Sequence, residues 1–171
     1  MELWDILDEN GNFTGLVLEK EDKRTWEENS YHQGVDAWII NSENKILIQK
    51  RSSIKKREPN VWSMTVGGSV IKGEKILEAL NREANEELGI DLNLDSATKI
   101  QRYKLPNLWL DVYLIKQDVN IDKLKLRPEE VSEIKFASFD EVENIYKNNM
   151  FMKNRWEYVR DDIKKVINNK K

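Results

Sequence analysis

The chain contains no cysteine, and that absence removes disulfides, thiolate metal ligands and cysteine nucleophiles together. Histidine occurs once, as His32, so a metal site built from several imidazoles of one chain is excluded. No apolar run approaches the ~20 residues needed to cross a bilayer, and the acidic start of the chain has none of the features of a signal peptide. These absences predict a cytoplasmic protein with no membrane partner. An excess of basic residues is also missing. Lys and Arg number 28 against 31 Asp and Glu, a net charge of -3, which argues against a binder of duplex nucleic acid, because such a protein needs a basic face.

What is present suits a folded core. Six Trp, five Tyr and four Phe stand among many Ile, Leu and Val, a composition that excludes disorder as the main state. The length of 171 residues predicts a single domain. Leu3–Leu7 and Phe13–Leu18 flank Asn10-Gly11, a strong hairpin signal, and Glu19–Ser30 reads as a polar connection. Strands are expected at Val35–Ile40, Lys45–Arg51, Val61–Val66, Thr98–Leu105, Trp109–Ile115 and Ile134–Ala137. Helical spacing predicts a helix over Lys75–Leu88, stopped by Gly89. Further helices are expected from Phe139 and over Asn154–Ile167, in the C-terminal part 140–171. Strands and helices interleave without strict alternation, so an α/β (α+β) fold with a mixed β-sheet packed between helices is expected, preceded by an N-terminal β-hairpin within residues 1–30.

The chemistry concentrates in residues 68–90, GSVIKGEKILEALNREANEELGI. At 100° per residue, Leu77, Leu80, Ala84 and Leu88 form one apolar stripe. Glu83, Glu86 and Glu87 have i, i+3, i+4 spacing, which gathers three carboxylates on an adjacent face. Crowded like charges repel, more so when partly buried, and a divalent cation removes that cost. Oxygen donors favour Mg2+, with Mn2+ as a substitute. Gly67 and Gly68, expected where the strand hands over to the helix, let the backbone approach a ligand closely. Glu74 and Arg82 are placed to form an ion pair that fixes the loop on the helix. The bland alternative for the glutamates alone is a solvated acidic helix face.

The whole string resembles the signature of the Nudix family: Gly68, Glu74, Arg82, Glu83, apolar Ala84, Glu86, Glu87, Gly89 and apolar Ile90 occupy its fixed positions at the right spacings. Seven fixed residues would coincide by chance in roughly one chain in a million. The resemblance spans about Val35 to Val142. It implies an α/β/α sandwich in which a loop–helix–loop box binds metal and a diphosphate, and a hydrolase that cleaves a nucleoside diphosphate linked to another moiety. On that resemblance Glu83, Glu86 and Glu87 hold Mg2+, Glu83 also accepts a proton from the attacking water, Gly68 presents backbone, and Glu74 and Arg82 support the site. Family members often recruit one more acid, for which Glu130 and Glu129 are the candidates here.

Arg51, Lys55, Lys56 and Arg57 are candidates for phosphate contact, with a solvated basic loop as the alternative. Trp109 shares a strand face with Asp111 and is a candidate to stack a base; core packing is the commoner use of such a residue. His32, Trp156 and Tyr158 are expected to be structural. The long N-terminal hairpin also resembles isopentenyl diphosphate isomerases, a branch of the same fold. That chemistry uses a Cys where Gly67 stands and a metal site of several histidines, and this inventory does not meet it. A non-catalytic nucleotide-binding module of the family is the other alternative, although such modules commonly lose box glutamates that are all kept here. Either a monomer or a homodimer is compatible with the hairpin, which can pair across a dimer or cover an edge of its own sheet.

Overall fold

The computed structural model describes residues 1–20 and 29–169. The greater part of the expected polar connection, residues 21–28, lies outside them. The first two strands, β1 (Leu3–Leu7) and β2 (Phe13–Glu19), pair antiparallel as a separate ribbon. Its turn uses Gly11 at φ 81°, a backbone angle that glycine adopts without steric cost, and the Asp8 carboxylate accepts the amides of Asn10 and Asn12 at 2.9 Å.

The main sheet is mixed and has seven strands: β3 (His32–Ile40), β4 (Ile46–Arg51), β5 (Trp62–Ser63), β6 (Val66–Ser69), β7 (Thr98–Leu105), β8 (Leu108–Lys116) and β9 (Val131–Ala137). The central strand β3 runs parallel to β8 along its whole length. Its other edge is shared, with β6 pairing to Gly34–Ala37 and β4 to Ile39–Ile40, both antiparallel. Strands buried on both faces read as continuous apolar runs, and β3 divides its side chains accordingly. Val35, Ala37 and Ile39 join Leu80, Ala84 and Leu88 of helix α1 (Ile76–Leu88) on one face. Trp38 and Ile40 join Val142 of α2 (Phe139–Lys147) and Trp156, Val159 and Ile163 of α3 (Trp156–Asn168) on the other. The result is the expected α/β/α sandwich.

Two local expectations change. The single short strand foreseen over Val61–Val66 is two strands with different partners, β5 on β4 and β6 on β3. Gly67 and Gly68 therefore lie inside a strand rather than at a strand-to-helix turn, and residues 70–75 make the connection. Their smallness serves close approach. A β carbon on Gly67 would stand 2.4 Å from Asp36 Oδ1, and one on Gly68 would stand 2.2 Å from the carboxyl carbon of Glu83.

Candidate active site

Helix α1 packs Ala79, Leu80, Ala84 and Leu88 against the sheet and ends on Gly89 at φ 66°, as the αL stop predicts. Burying that stripe turns the flank bearing Glu83, Glu86 and Glu87 toward β6 and the end of β4. There it borders a cleft of about 340 Å³, also lined by Gly67, Gly68, Ser69, Arg51, Lys55, Arg127 and Glu130, and by Glu2 and Lys20 from the N-terminal hairpin.

Arg82 organises the acidic wall. It donates through Nε and Nη2 to the two carboxylate oxygens of Glu74 at 2.8 and 3.0 Å, and Nη2 also reaches the Ser69 carbonyl at 3.0 Å. This two-point clamp ties the loop before the helix to its second turn, and the hydrogen bond to Glu74 raises the guanidinium pKa further above its usual value. The remaining nitrogen, Nη1, lies 2.8 Å from Glu83 and 3.6 Å from Glu86. Glu87 is buried and accepts from Gln49 Nε2 at 2.8 Å, while Gln49 also donates to the Thr65 carbonyl. Lys55 pairs closely with Glu130, and Ser52 N donates to the Glu130 carbonyl at 2.9 Å.

Burial, reinforced by the neighbouring Glu83 and Glu130 charges, pushes the Glu87 carboxyl up to about 8 against the opposing Gln49 hydrogen bond. Burial also raises Glu83, although the Arg82 contact opposes it. Both shifts report carboxylates held in a place that favours their neutral form unless positive charge arrives. Among the described residues, no three acidic or imidazole side chains already converge as metal ligands. The donor set nevertheless fits a hard divalent cation. It offers oxygen alone, its acids are crowded, and the bare Cα of Gly68 leaves the room that the Glu83 carboxylate occupies.

Other candidates sit elsewhere. Arg57 is exposed and outside the cleft, its carbonyl accepting from Arg51 Nη2; Lys56 is likewise exposed. Glu129 is exposed and lies 3.7 Å from Arg127. Trp109 does not line the cleft. Its indole donates to the Asp8 carbonyl at 3.0 Å and lies beneath Arg102 and Lys104, so it docks the hairpin tip on the sheet. Asp111 is fully buried, accepting from Gln33 at 3.1 Å and paired with Lys99 at 2.5 Å. His32 stacks on Trp4 at 4.1 Å, and Trp156 is buried against Trp38, Phe139 and Phe151. Glu2, Lys20 and Arg127, which line the cleft, and Gln49, which supports it through Glu87, were not anticipated. Only Gln49 carried a signal, as the amide that follows the apolar run Ile46-Leu47-Ile48.

An α/β/α sandwich whose cleft sets carboxylates of one helix face against several cations has the architecture of a phosphate-anhydride hydrolase. The comparisons agree. The NUDIX domain family model matches residues 30–160. An uncharacterized Nudix hydrolase of Listeria monocytogenes is 34% identical over 152 residues, 89% of each chain. The chain belongs to the Nudix family and is a hydrolase acting on pyrophosphate bonds. An isopentenyl-diphosphate Delta-isomerase of Pectobacterium atrosepticum is 30% identical over 80% of this chain and 76% of its own. A crystal structure from Deinococcus radiodurans shares the fold with a TM-score of 0.74 at 22% identity, covering 96% of this chain and 98% of that one. The position at which isomerase chemistry is expected to use a cysteine is Gly67 here; a β carbon there would stand 2.4 Å from Asp36 Oδ1 and 2.5 Å from Met64 Cε, so those side-chain ends would have to shift to admit one.

Proposed function

We propose that this hydrolase is a Mg2+-dependent pyrophosphohydrolase that cuts the diphosphate linkage of a nucleoside diphosphate derivative, with Mn2+ as an alternative ion. The observation that carries this reading is the cleft itself, where Glu83, Glu86 and Glu87 face Arg51, Lys55 and Arg127 across about 340 Å³. Glu83, Glu86, Glu87 and Glu130, with the Gly68 backbone, would hold the divalent cation. When bound, that ion neutralises the diphosphate and raises the acidity of a bound water. Glu83 accepts the proton of the attacking water; its raised pKa brings it nearer the range in which a general base is efficient. Arg82 and Glu74 hold Glu83 in place from behind. Arg51, Lys55 and Arg127 bind phosphate oxygens and absorb the charge that grows on the leaving phosphate.

A phosphate-release panel of free nucleotides, ADP-ribose, nucleotide sugars and dinucleoside polyphosphates, run with Mg2+ and with Mn2+, tests the proposal. Turnover on one class is expected, and Glu83→Gln is expected to lower it by at least about 100-fold. Parental turnover by the folded Glu83→Gln protein would refute the assignment of the proton acceptor.

A further inference from the structure

The acids of the cleft are each met by a donor of the chain itself: Glu2 by Lys20, Glu87 by the Gln49 amide, and the rest by two cations, Arg82 and Lys55, that are held very differently. Arg82 is fixed by two bonds to Glu74 and one to the Ser69 carbonyl, so its contact with Glu83 is part of a rigid clamp. Among the described residues, the Lys55 ammonium has Glu130 as its one hydrogen-bond partner. Lys55 extends from the loop after β4, Glu130 from the turn before β9, and both line the cleft. Each is about 30% exposed (side-chain values 27% and 30%), so the ammonium can exchange its partner for a ligand in the cleft without its backbone moving. A lysine suits this, being a compact charge on a flexible stem.

Resting on the metal-dependent reading above, we propose that Lys55 is a resident counterion: it neutralises Glu130 in the metal-free enzyme and passes to a diphosphate oxygen when a divalent cation takes over Glu130. The physical reason is a competition of like charges. Glu130 stands with Glu83, Glu86 and Glu87 around one cleft, and an unneutralised fourth carboxylate would add to their repulsion. A divalent cation there repels the ammonium that it replaces. An anionic diphosphate in the same cleft offers that ammonium its nearest new partner, so metal and diphosphate favour the same Lys55 position. Each must then strengthen the binding of the other by the same factor.

Calorimetry of Mn2+ and of methylenediphosphonate, a non-hydrolysable diphosphate, separately and together, tests this on the parent, Lys55→Met and Glu130→Gln proteins. The Mn2+–diphosphonate association is measured apart and subtracted. Lys55→Met is expected to bind Mn2+ alone about fivefold more tightly than the parent, since Glu130 no longer has an internal cation to give up. Its affinity for the diphosphonate in saturating Mn2+ is expected to fall about tenfold, with the mutual enhancement largely lost. Glu130→Gln, which releases the ammonium, is expected to bind metal-free diphosphonate several-fold more tightly. Unchanged or weaker Mn2+ binding by folded Lys55→Met, or no gain of metal-free diphosphonate binding by Glu130→Gln, overturns the counterion role alone. Failure of all three proteins to bind Mn2+, with or without diphosphonate, overturns the metal reading and this inference with it.

Discussion

Replacing Glu87 with Gln keeps the acceptor that Gln49 Nε2 reaches at 2.8 Å and removes only the group that titrates. Burial raises the native pKa of Glu87 from the ordinary 4.5 to about 8. Between those values the folded protein binds more protons at this site than the unfolded chain does. The stability that the neutral form contributes is therefore fully present below pH 4.5 and lost as pH rises through 8. The interval from 4.5 to about 8 corresponds to about 5 kcal/mol, a large share of the roughly 5–15 kcal/mol that stabilises a typical domain. For a chain of this size that is a difference in Tm of roughly 10–20 °C. Thermal melts of both proteins in metal-free, chelator-treated buffer at pH 5, 7 and 9 measure it. The two melting temperatures are expected to lie close together at pH 5 and to separate steadily, with Glu87→Gln the more stable at pH 9. Adding Mg2+ at pH 9 is expected to raise the parent much more than the variant, because a bound cation stabilises only a fold that holds the charged ligand. A separation that stays constant from pH 5 to 9 would refute the reasoning, because Glu87 would then be ionised as readily in the fold as in the unfolded chain.

Two further outcomes follow from groups outside the cleft wall. His32 is the sole histidine, so its imidazole proton resonances are unambiguous, and burial, opposed by the Asn107 backbone contact, lowers its pKa to about 4. NMR titration is expected to give a midpoint near that value, and since the native state binds fewer protons here than the unfolded one, this site loses about 3 kcal/mol of stability as pH falls from 6.5 through 4; a midpoint near 6.5 would mean that the ring is not shielded by Trp4. Trp109→Phe removes the indole donor to the Asp8 carbonyl and is expected to cost about 1 kcal/mol of stability while leaving KM within about twofold; a tenfold rise in KM would return Trp109 to the role of a base-stacking residue.

Those outcomes bear on what the sequence made legible. Helix α1 was readable because three local signals agreed: the apolar stripe, the acidic flank and Gly89 beyond the last turn. Observed from Ile76 to Leu88, it differs from the expected span by one residue. The Glu74–Arg82 clamp was equally readable, since both residues sit on adjoining segments and their spacing brings them together. The division of Val61–Val66 into two strands was not, because it depends on which neighbour each half finds. Trp62 and Ser63 pair with β4, whereas Val66–Ser69 pairs with β3, and no property of six residues specifies partners that distant. The setting of Trp109 was not legible for a related reason. A strand pattern shows which residues share a face but not what covers the face, and here the tip of the N-terminal hairpin does so.

The end of β4 with the loop after it, and the turn before β9, which bring Arg51, Lys55 and Arg127, change the electrostatic reading of the cleft. The box alone presents an acidic wall, which on its own would attract a free cation and repel a phosphate. The complete cleft sets Glu2, Glu83, Glu86, Glu87 and Glu130 against Lys20, Arg51, Lys55, Arg82 and Arg127, equal numbers of formal charges drawn from segments far apart in the chain. A diphosphate entering by itself would leave this balanced cleft negative, and a divalent cation entering by itself would leave it positive. Brought in together, the two cancel much of each other's charge, so the desolvated site holds less uncompensated charge than it would with either alone. Charge balance thus favours a diphosphate that arrives with its cation, and an enzyme of this construction should respond to the concentration of that complex rather than to either free species.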